Sequence, residues 1–373
     1  MAGTVGGVSP GRSVRLSLGT ASALGFARFA YGLVVPAMSR DLGWSLTGAG
    51  LMSAANGLGY LLGAMVTGLL ALWLGATAAF RWGMVVTALA LAATAVTGNF
   101  AVLLALRAVA GVSGAVVFIT GGVIASRMAA RSSSGMPITV YFAGTGLGIV
   151  LSGATIPELG EQWRVAWLGL GAAAGVAALV SWTAARTDDG PAGGTGRARV
   201  KPLWRTAVAY LLFATGYITY ITFLSAVLAG HRATVAQVSL VWTALGAAVL
   251  VASAIWSGGR ALAPLLTLLA AGSALALLSD ALPVVLASAI LYGATFIGVP
   301  AAVTALIKDR IPQADWTATL AAFTTLFAAG QTAGPWLAGF VADRTSAGAT
   351  VAWTAALCAV GALFAVMERK PGT

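Results

Sequence analysis

The chain has 373 residues, of which 8% are charged and 59% hydrophobic, and it carries a formal net charge of +11. An ordinary soluble protein has about 25% charged residues, so this chain lacks the polar groups needed to coat a water-exposed fold of its size. A bilayer lifts that requirement but demands that every backbone amide inside it be satisfied internally, which leaves helices or a closed barrel. Barrel strands alternate apolar and polar residues over about ten positions. Here the apolar runs continue for roughly 18 to 25 residues, the length of a spanning helix. The single cysteine, Cys358, excludes an internal disulfide and a cysteine metal cluster, and the single histidine, His231, leaves little for histidine chemistry.

Residues 1–13 place Arg12 ahead of an apolar stretch from Val14 to about Ser39. That is too long for a signal-peptide core, and it reads as a first span. Gly, Pro and charge then punctuate twelve apolar segments: 14–38, 47–73, 79–97, 99–127, 135–156, 163–185, 204–229, 234–257, 261–279, 281–309, 315–342 and 347–366. The connection between the second and third is nearly uncharged from Ala71 to Phe80. The longest polar stretch, 186–203, is rich in Gly, Pro and charge and divides the segments six and six. The expected organisation is a bundle over 14–185, a cytoplasmic linker over 186–203 and a second bundle over 204–366.

With both termini in the cytoplasm, fifteen Lys and Arg fall on the inner side, four on the outer side, and two, Arg28 and Arg107, inside spans. The basic excess is thus a topology signal, and nucleic acid is not an expected partner. Ten of the twelve tryptophans, Trp163 and Trp167 among them, fall near segment ends, where an indole suits the membrane interface. Segment 1 contains Gly25, Phe26, Arg28 and Phe29; segment 7 contains Gly216, Tyr217, Thr219 and Tyr220 at the same spacing, which points to a duplicated unit.

On these features the chain resembles the major facilitator superfamily over essentially its whole length. Arg107 and Gly111, continuing to Gly114, are similar to the Arg-x-x-x-Gly motif of that family's fourth helix. Gly330, Gly334, Pro335 and Gly339 resemble the Gly-Pro pattern of its eleventh, and Gly25 to Tyr31 with Pro36 resembles the first helix of an uncharacterised, efflux-permease-like bacterial subgroup. The resemblance implies an all-α membrane protein of twelve transmembrane helices in two pseudo-symmetric six-helix bundles, with helices 1, 4, 7 and 10 lining a central cavity. Two departures stand out. The loop between helices 2 and 3 keeps Gly75 and Arg81 but lacks the family's acidic residue, and segment 5 lacks the Gly-Pro pair of antiporters.

A central charge in a span costs about 2.5–3.5 kcal/mol on insertion scales, so Arg28 and Arg107 call for a reason. Arg28 lies ten residues before Met38 and Arg107 eight after Asn99, or about 15 and 12 Å from the same membrane face. The ten carboxylates all fall at segment ends or in loops. Two guanidiniums about 10 Å apart repel by roughly 1–2 kcal/mol at an effective dielectric near 20, which favours an anion between their planar forks. An organic acid held by Arg28 and Arg107 is therefore the expected substrate, and bundle packing or conformational coupling is the competing role for each arginine. Asn56 and Tyr60 share one helix face, as do Tyr217 with Tyr220 and Tyr292 with Phe296. With Tyr141 and Gln331 they are further substrate-binding candidates, packing being the alternative for each.

The glycine runs Gly57-x-Gly59-x3-Gly63 and Gly144-x-Gly146-x-Gly148 have the small-residue spacing that lets helices approach closely. There is no phosphate-binding Gly-x4-Gly-Lys-Ser/Thr loop, so an ATP-driven pump is disfavoured. The expected function is that of a secondary transporter moving a small molecule by alternating access, without cofactor or metal, as a monomer in the inner or plasma membrane. An efflux carrier for neutral or aromatic drug-like compounds, and a carrier-like sensor or scaffold without flux, are the alternatives. A membrane enzyme would need clustered His, Asp, Glu or Cys at membrane depth, which the chain lacks.

Overall fold

The computed structural model describes residues 10–186, 197–255 and 262–367, and its regular structure there is entirely helical. In chain order the segments are α1 (Pro10–Leu42), α2 (46–74), α3 (76–94), α4 (Phe100–Ser132), α5 (Met136–Thr155), α6 (Trp163–Ser181), α7 (Trp204–Gly230), α8 (Val235–Ile255), α9 (Leu262–Leu278), α10 (Leu282–Arg310), α11 (Trp316–Ala342) and α12 (Gly348–Val366). Among the described residues, nine helices are long and apolar enough to cross a membrane, with α2 and α3 counted as one rod. Of the expected linker, residues 187–196 lie outside the described residues, as do Asp188, Asp189, Trp256, Arg260, Glu368, Arg369 and Lys370.

Three departures from the expected segments have local causes. α1 starts at Pro10 and ends at Leu42, longer than 14–38 at both ends, and Gly43 closes it at φ 66°. Its middle, Ala21–Phe29, is a π-helix in which the Ala30 N–H bonds the Gly25 carbonyl at 2.9 Å. The expected loop after 73 is instead a one-residue kink at Gly75, whose φ of 77° is strained for any residue with a Cβ. α10 breaks at Ile297 into Leu282–Phe296 and Gly298–Arg310, because Pro300 has no N–H to offer the Phe296 carbonyl.

Small residues set the helix spacing. A Cβ on Gly63 would stand 2.7 Å from the Val112 Cα, so α2 and α4 touch backbone to backbone at Gly59 and Gly63, whereas Gly57 faces Thr332 of α11. In α5, Gly144 and Gly148 pack on α1, whereas Gly146 faces α8, where a Cβ would come within 2.6 Å of the Leu250 N.

Charges work at the helix ends. Where α1, α3 and α6 meet, the Arg12 Nε donates to the Ala184 carbonyl at 3.0 Å, the Thr77 hydroxyl to Ala185 at 2.9 Å and the Arg81 Nε to Trp182 at 2.8 Å. Cations thus occupy the negative C-terminal end of α6. At the opposite end, Arg40 pairs with Glu161 at 2.6 Å, Arg164 with Asp41 at 3.2 Å and His231 with Asp280 at 3.1 Å.

The hydrogen bonds that join α1–α6 to α7–α12 include Ser53 with Thr222 at 3.1 Å and Ser239 to the Gly153 carbonyl at 2.7 Å. They also include a cluster on Asp343, which accepts from the Leu46 N–H at 2.8 Å and the Thr47 N–H at 2.9 Å. These contacts lie toward the end that carries Gly43, His231 and Asp343, so that end is sealed. Trp73, Trp82 and Trp204 are exposed near helix ends, as an interface belt requires, but Trp163 and Trp167 are buried. Trp163 donates to Asp41 at 2.8 Å, and Trp167 stacks on Tyr31 with ring centroids 6.5 Å apart.

Candidate functional site

Arg28 sits in the π-helical turn of α1 and is 6% exposed. It donates no hydrogen bond to any described residue, and its Nε is buried without a partner. The one group stacked against it is Tyr60 of α2, whose ring centroid lies 5.3 Å from the guanidinium carbon. No ion pair among the described residues involves Arg28.

Arg107 lies at the same depth in different surroundings. Its Nη1 donates to the Ala27 carbonyl, the residue next to Arg28, at 2.7 Å. The guanidinium carbon lies 4.7 Å from the Tyr31 ring centroid and 5.3 Å from that of Trp167, and its Nε has no partner. Asn56 secures the turn by donating to the Arg107 carbonyl at 3.1 Å. Every one of these partners belongs to α1, α2 or α6, so Arg107 is braced inside the first six helices.

Opposite Arg28, the second half presents an aromatic wall. Tyr217 stacks on Phe213 at 4.9 Å, on Phe327 at 5.3 Å and on Phe296 at 6.0 Å, with interplanar angles of 19°, 23° and 19°. Tyr210 continues the ladder against Phe327 at 5.2 Å. Phe29, next to Arg28, meets Phe296 edge-on at 6.0 Å. The Tyr217 hydroxyl donates to the Gln331 Oε1 at 3.1 Å, while the Gln331 Nε2 is buried and unpartnered. Because amide oxygen and nitrogen are assigned from the bonding network, the firm observation is that one end of a buried amide has no partner beside Tyr217.

Arg28 and Tyr60 are thus brought together on one side and Tyr217, Phe296 and Gln331 on the other, the two sets adjoining through the Phe29–Phe296 contact. Four other candidates are engaged elsewhere. The Tyr141 hydroxyl donates to the Val117 and Phe118 carbonyls at 2.9 and 3.1 Å, tying α5 to α4. Tyr220 bonds the Ser288 hydroxyl at 2.8 Å and stacks on Tyr292 at 4.0 Å. Tyr292 in turn donates to the Tyr217 carbonyl. Asn56 holds Arg107, as described above.

Sequence reasoning missed Tyr210, Phe213 and Phe327. The signal was there: positions 210, 213, 217 and 220 form one stripe on α7, and 323, 327 and 331 form another on α11. Among the described residues, no group of three or more His, Cys, Asp or Glu could hold a metal ion.

Comparison with known proteins fits this architecture. Structures with the same fold include a variant of the nucleoside transporter NupG, at TM-score 0.74 and 13% identity, covering 96% of this chain and all (100%) of that one. A bacterial homologue of the human lysosomal transporter Spinster, in an inward-facing and occupied conformation, aligns at TM-score 0.67 and 15% identity, covering 97% of this chain and 96% of its own. The human organic anion transporter MFSD10 (TETRAN) aligns at TM-score 0.63 and 17% identity, covering 96% of this chain and 100% of that one. No curated protein sequence matches the chain. The family model described as "Uncharacterised MFS-type transporter YbfB" matches residues 20–367, and the chain therefore belongs to that family of major facilitator transporters, multi-pass membrane proteins that move solutes and are not enzymes.

Proposed function

We propose that this transporter is a secondary carrier for a small organic anion, with Arg28 as the counter-charge of the cargo. The observation that carries the reading is the buried guanidinium of Arg28, which has neither a carboxylate nor a hydrogen-bond acceptor among the described residues. A membrane-depth cation is costly unless a partner compensates it. A cargo carboxylate within reach of the unpartnered Nε would supply that partner each time the site fills. Arg107, braced by Ala27, Tyr31 and Trp167, supports the turn that presents Arg28 and stays off the cargo.

The rocking units are the halves 14–185 and 204–366, in a monomer with both termini in the cytoplasm of the inner or plasma membrane. In that orientation the end sealed by Asp343 is the outer one, and the carrier rests facing inward. The likeness to an organic anion transporter is one of fold alone and adds no weight to the substrate class. The experiment is counterflow in proteoliposomes loaded with a panel of organic anions. Wild-type protein should accumulate at least one of them, Arg28→Gln none, and Arg28→Lys an intermediate amount. Equal accumulation by wild type and Arg28→Gln would remove Arg28 from the mechanism.

A further inference from the structure

The composition of the wall facing Arg28 narrows the cargo further. Buried polar atoms without a partner are few there: the Arg28 Nε and one end of the Gln331 amide. A cargo with many hydroxyls would leave most of them unpaired on desolvation. The rest of the wall is aromatic, and Tyr217, Phe296 and Phe327 lie within 23° of parallel in each Tyr217 pair. On the near side, Tyr60 faces Phe118 at 6.3 Å, and both Phe118 and Phe327 are only half-buried. A ring face thus borders the unpartnered cation on the near side, and the Tyr217 stack of the other half adjoins it through the Phe29–Phe296 contact. The charge count is also limiting. With Arg107 bonded to the Ala27 carbonyl and set over the Tyr31 and Trp167 rings, one guanidinium is left for the cargo.

From this juxtaposition we infer that the cargo is an aromatic monocarboxylate, its carboxylate on Arg28 and the Gln331 amide and its ring against Phe327, Phe296 and Tyr60. The inference rests on the anion reading above. A ring stacked on two or three aromatic side chains gains about tenfold in affinity over a saturated ring of equal size. A second carboxylate has no second cation to meet and is excluded by its own desolvation. The ladder through Tyr217, Phe327 and Tyr210 runs from the level of Arg28 toward the end of α7 and α11 that adjoins the linker, which gives a flat ring a continuous apolar track.

The test uses the full-length carrier in detergent or nanodiscs and compares thermal stabilisation by benzoate, cyclohexanecarboxylate, benzamide and phthalate. Benzoate should stabilise at concentrations about tenfold lower than cyclohexanecarboxylate, with benzamide and phthalate weaker still. Phe327→Leu should reduce the preference for benzoate over cyclohexanecarboxylate to about twofold. Should Phe327→Leu fold poorly, Phe296→Leu reads the same preference. Equal stabilisation by benzoate and cyclohexanecarboxylate, both lost in Arg28→Gln, would overturn the aromatic inference and leave the anion reading standing. Equal stabilisation by benzamide and benzoate, unchanged in Arg28→Gln, would overturn both. No stabilisation by any of the four compounds at millimolar concentration would overturn the aromatic inference.

Discussion

Arg107 is held by a carbonyl and two rings of its own bundle, whereas Arg28 is held by one ring. The difference predicts opposite phenotypes. Arg107→Leu removes a charge-assisted hydrogen bond and two cation–π contacts, so it should lower folding stability by about 2–4 kcal/mol while anion affinity changes less than about threefold. Thermal unfolding and ligand titration on the same preparation separate the two effects. Arg107→Lys should recover only part of the loss, since an ammonium lacks the planar fork that bonds Ala27 while facing the Tyr31 and Trp167 rings. The presence and depth of both arginines were legible in the sequence, because a charge inside an apolar run is visible without a fold. Their division of labour was not. It depends on the rotation of α1, which the π-helical turn at Ala21–Phe29 resets, and on Trp167 leaving the interface for the core.

At the scale of elements, α11 is anchored at both ends by an aspartate. At the linker end Asp315 accepts from the Arg197 N–H at 2.8 Å and from the Arg199 side chain, interactions that hold its carboxyl below the ordinary carboxylate range. At the sealed end Asp343 accepts from the first two N–H groups of α2, and Ser45 accepts the third, from Gly48, at 3.2 Å. A helix N-terminus of one half is thus capped in part by the other half. Burial pushes the Asp343 carboxyl up, but hydrogen bonds from Thr47, Leu46 and Ser45 outweigh it and leave the pKa below its usual value. A carboxyl depressed in the closed state contributes fully above the ordinary pKa of about 4 and loses its contribution as pH falls through the lower value. The closed population should therefore be constant from pH 8 to pH 5. Asp343→Asn should open it throughout that range, by about 1 kcal/mol for an exposed cap. Double electron–electron resonance between Glu158→Cys and Ala236→Cys labels, in a Cys358→Ala background, reads that population directly. The sequence marked α2 and α11 as helices but not their joint, because a cap contributed by a residue 297 positions away leaves no local pattern.

Over the whole molecule the fold was legible because hydropathy is summed over long runs and tolerates local error. The all-helical membrane reading survives a missed kink at Gly75, a broken α10 and a longer α1. The aromatic ladder was harder to read, since its stripes on α7 and α11 acquire meaning only when the two helices are side by side. Every described carboxylate lies at a helix end or in a loop, and the cap hydrogen bonds keep the Asp343 carboxyl below its usual pKa. Flux should then change less than about twofold when a transmembrane pH gradient is collapsed, because proton-driven carriers titrate a raised-pKa buried acid, and none stands at membrane depth among the described residues. The most direct test of the anion site at Arg28 is calorimetric titration of wild type, Arg28→Lys and Arg28→Gln with one transported anion. An anion site at Arg28 requires affinity at least about thirtyfold weaker in Arg28→Gln, with Arg28→Lys between the two, as expected when a buried charge pair loses one member. Identical affinities in all three proteins would contradict it.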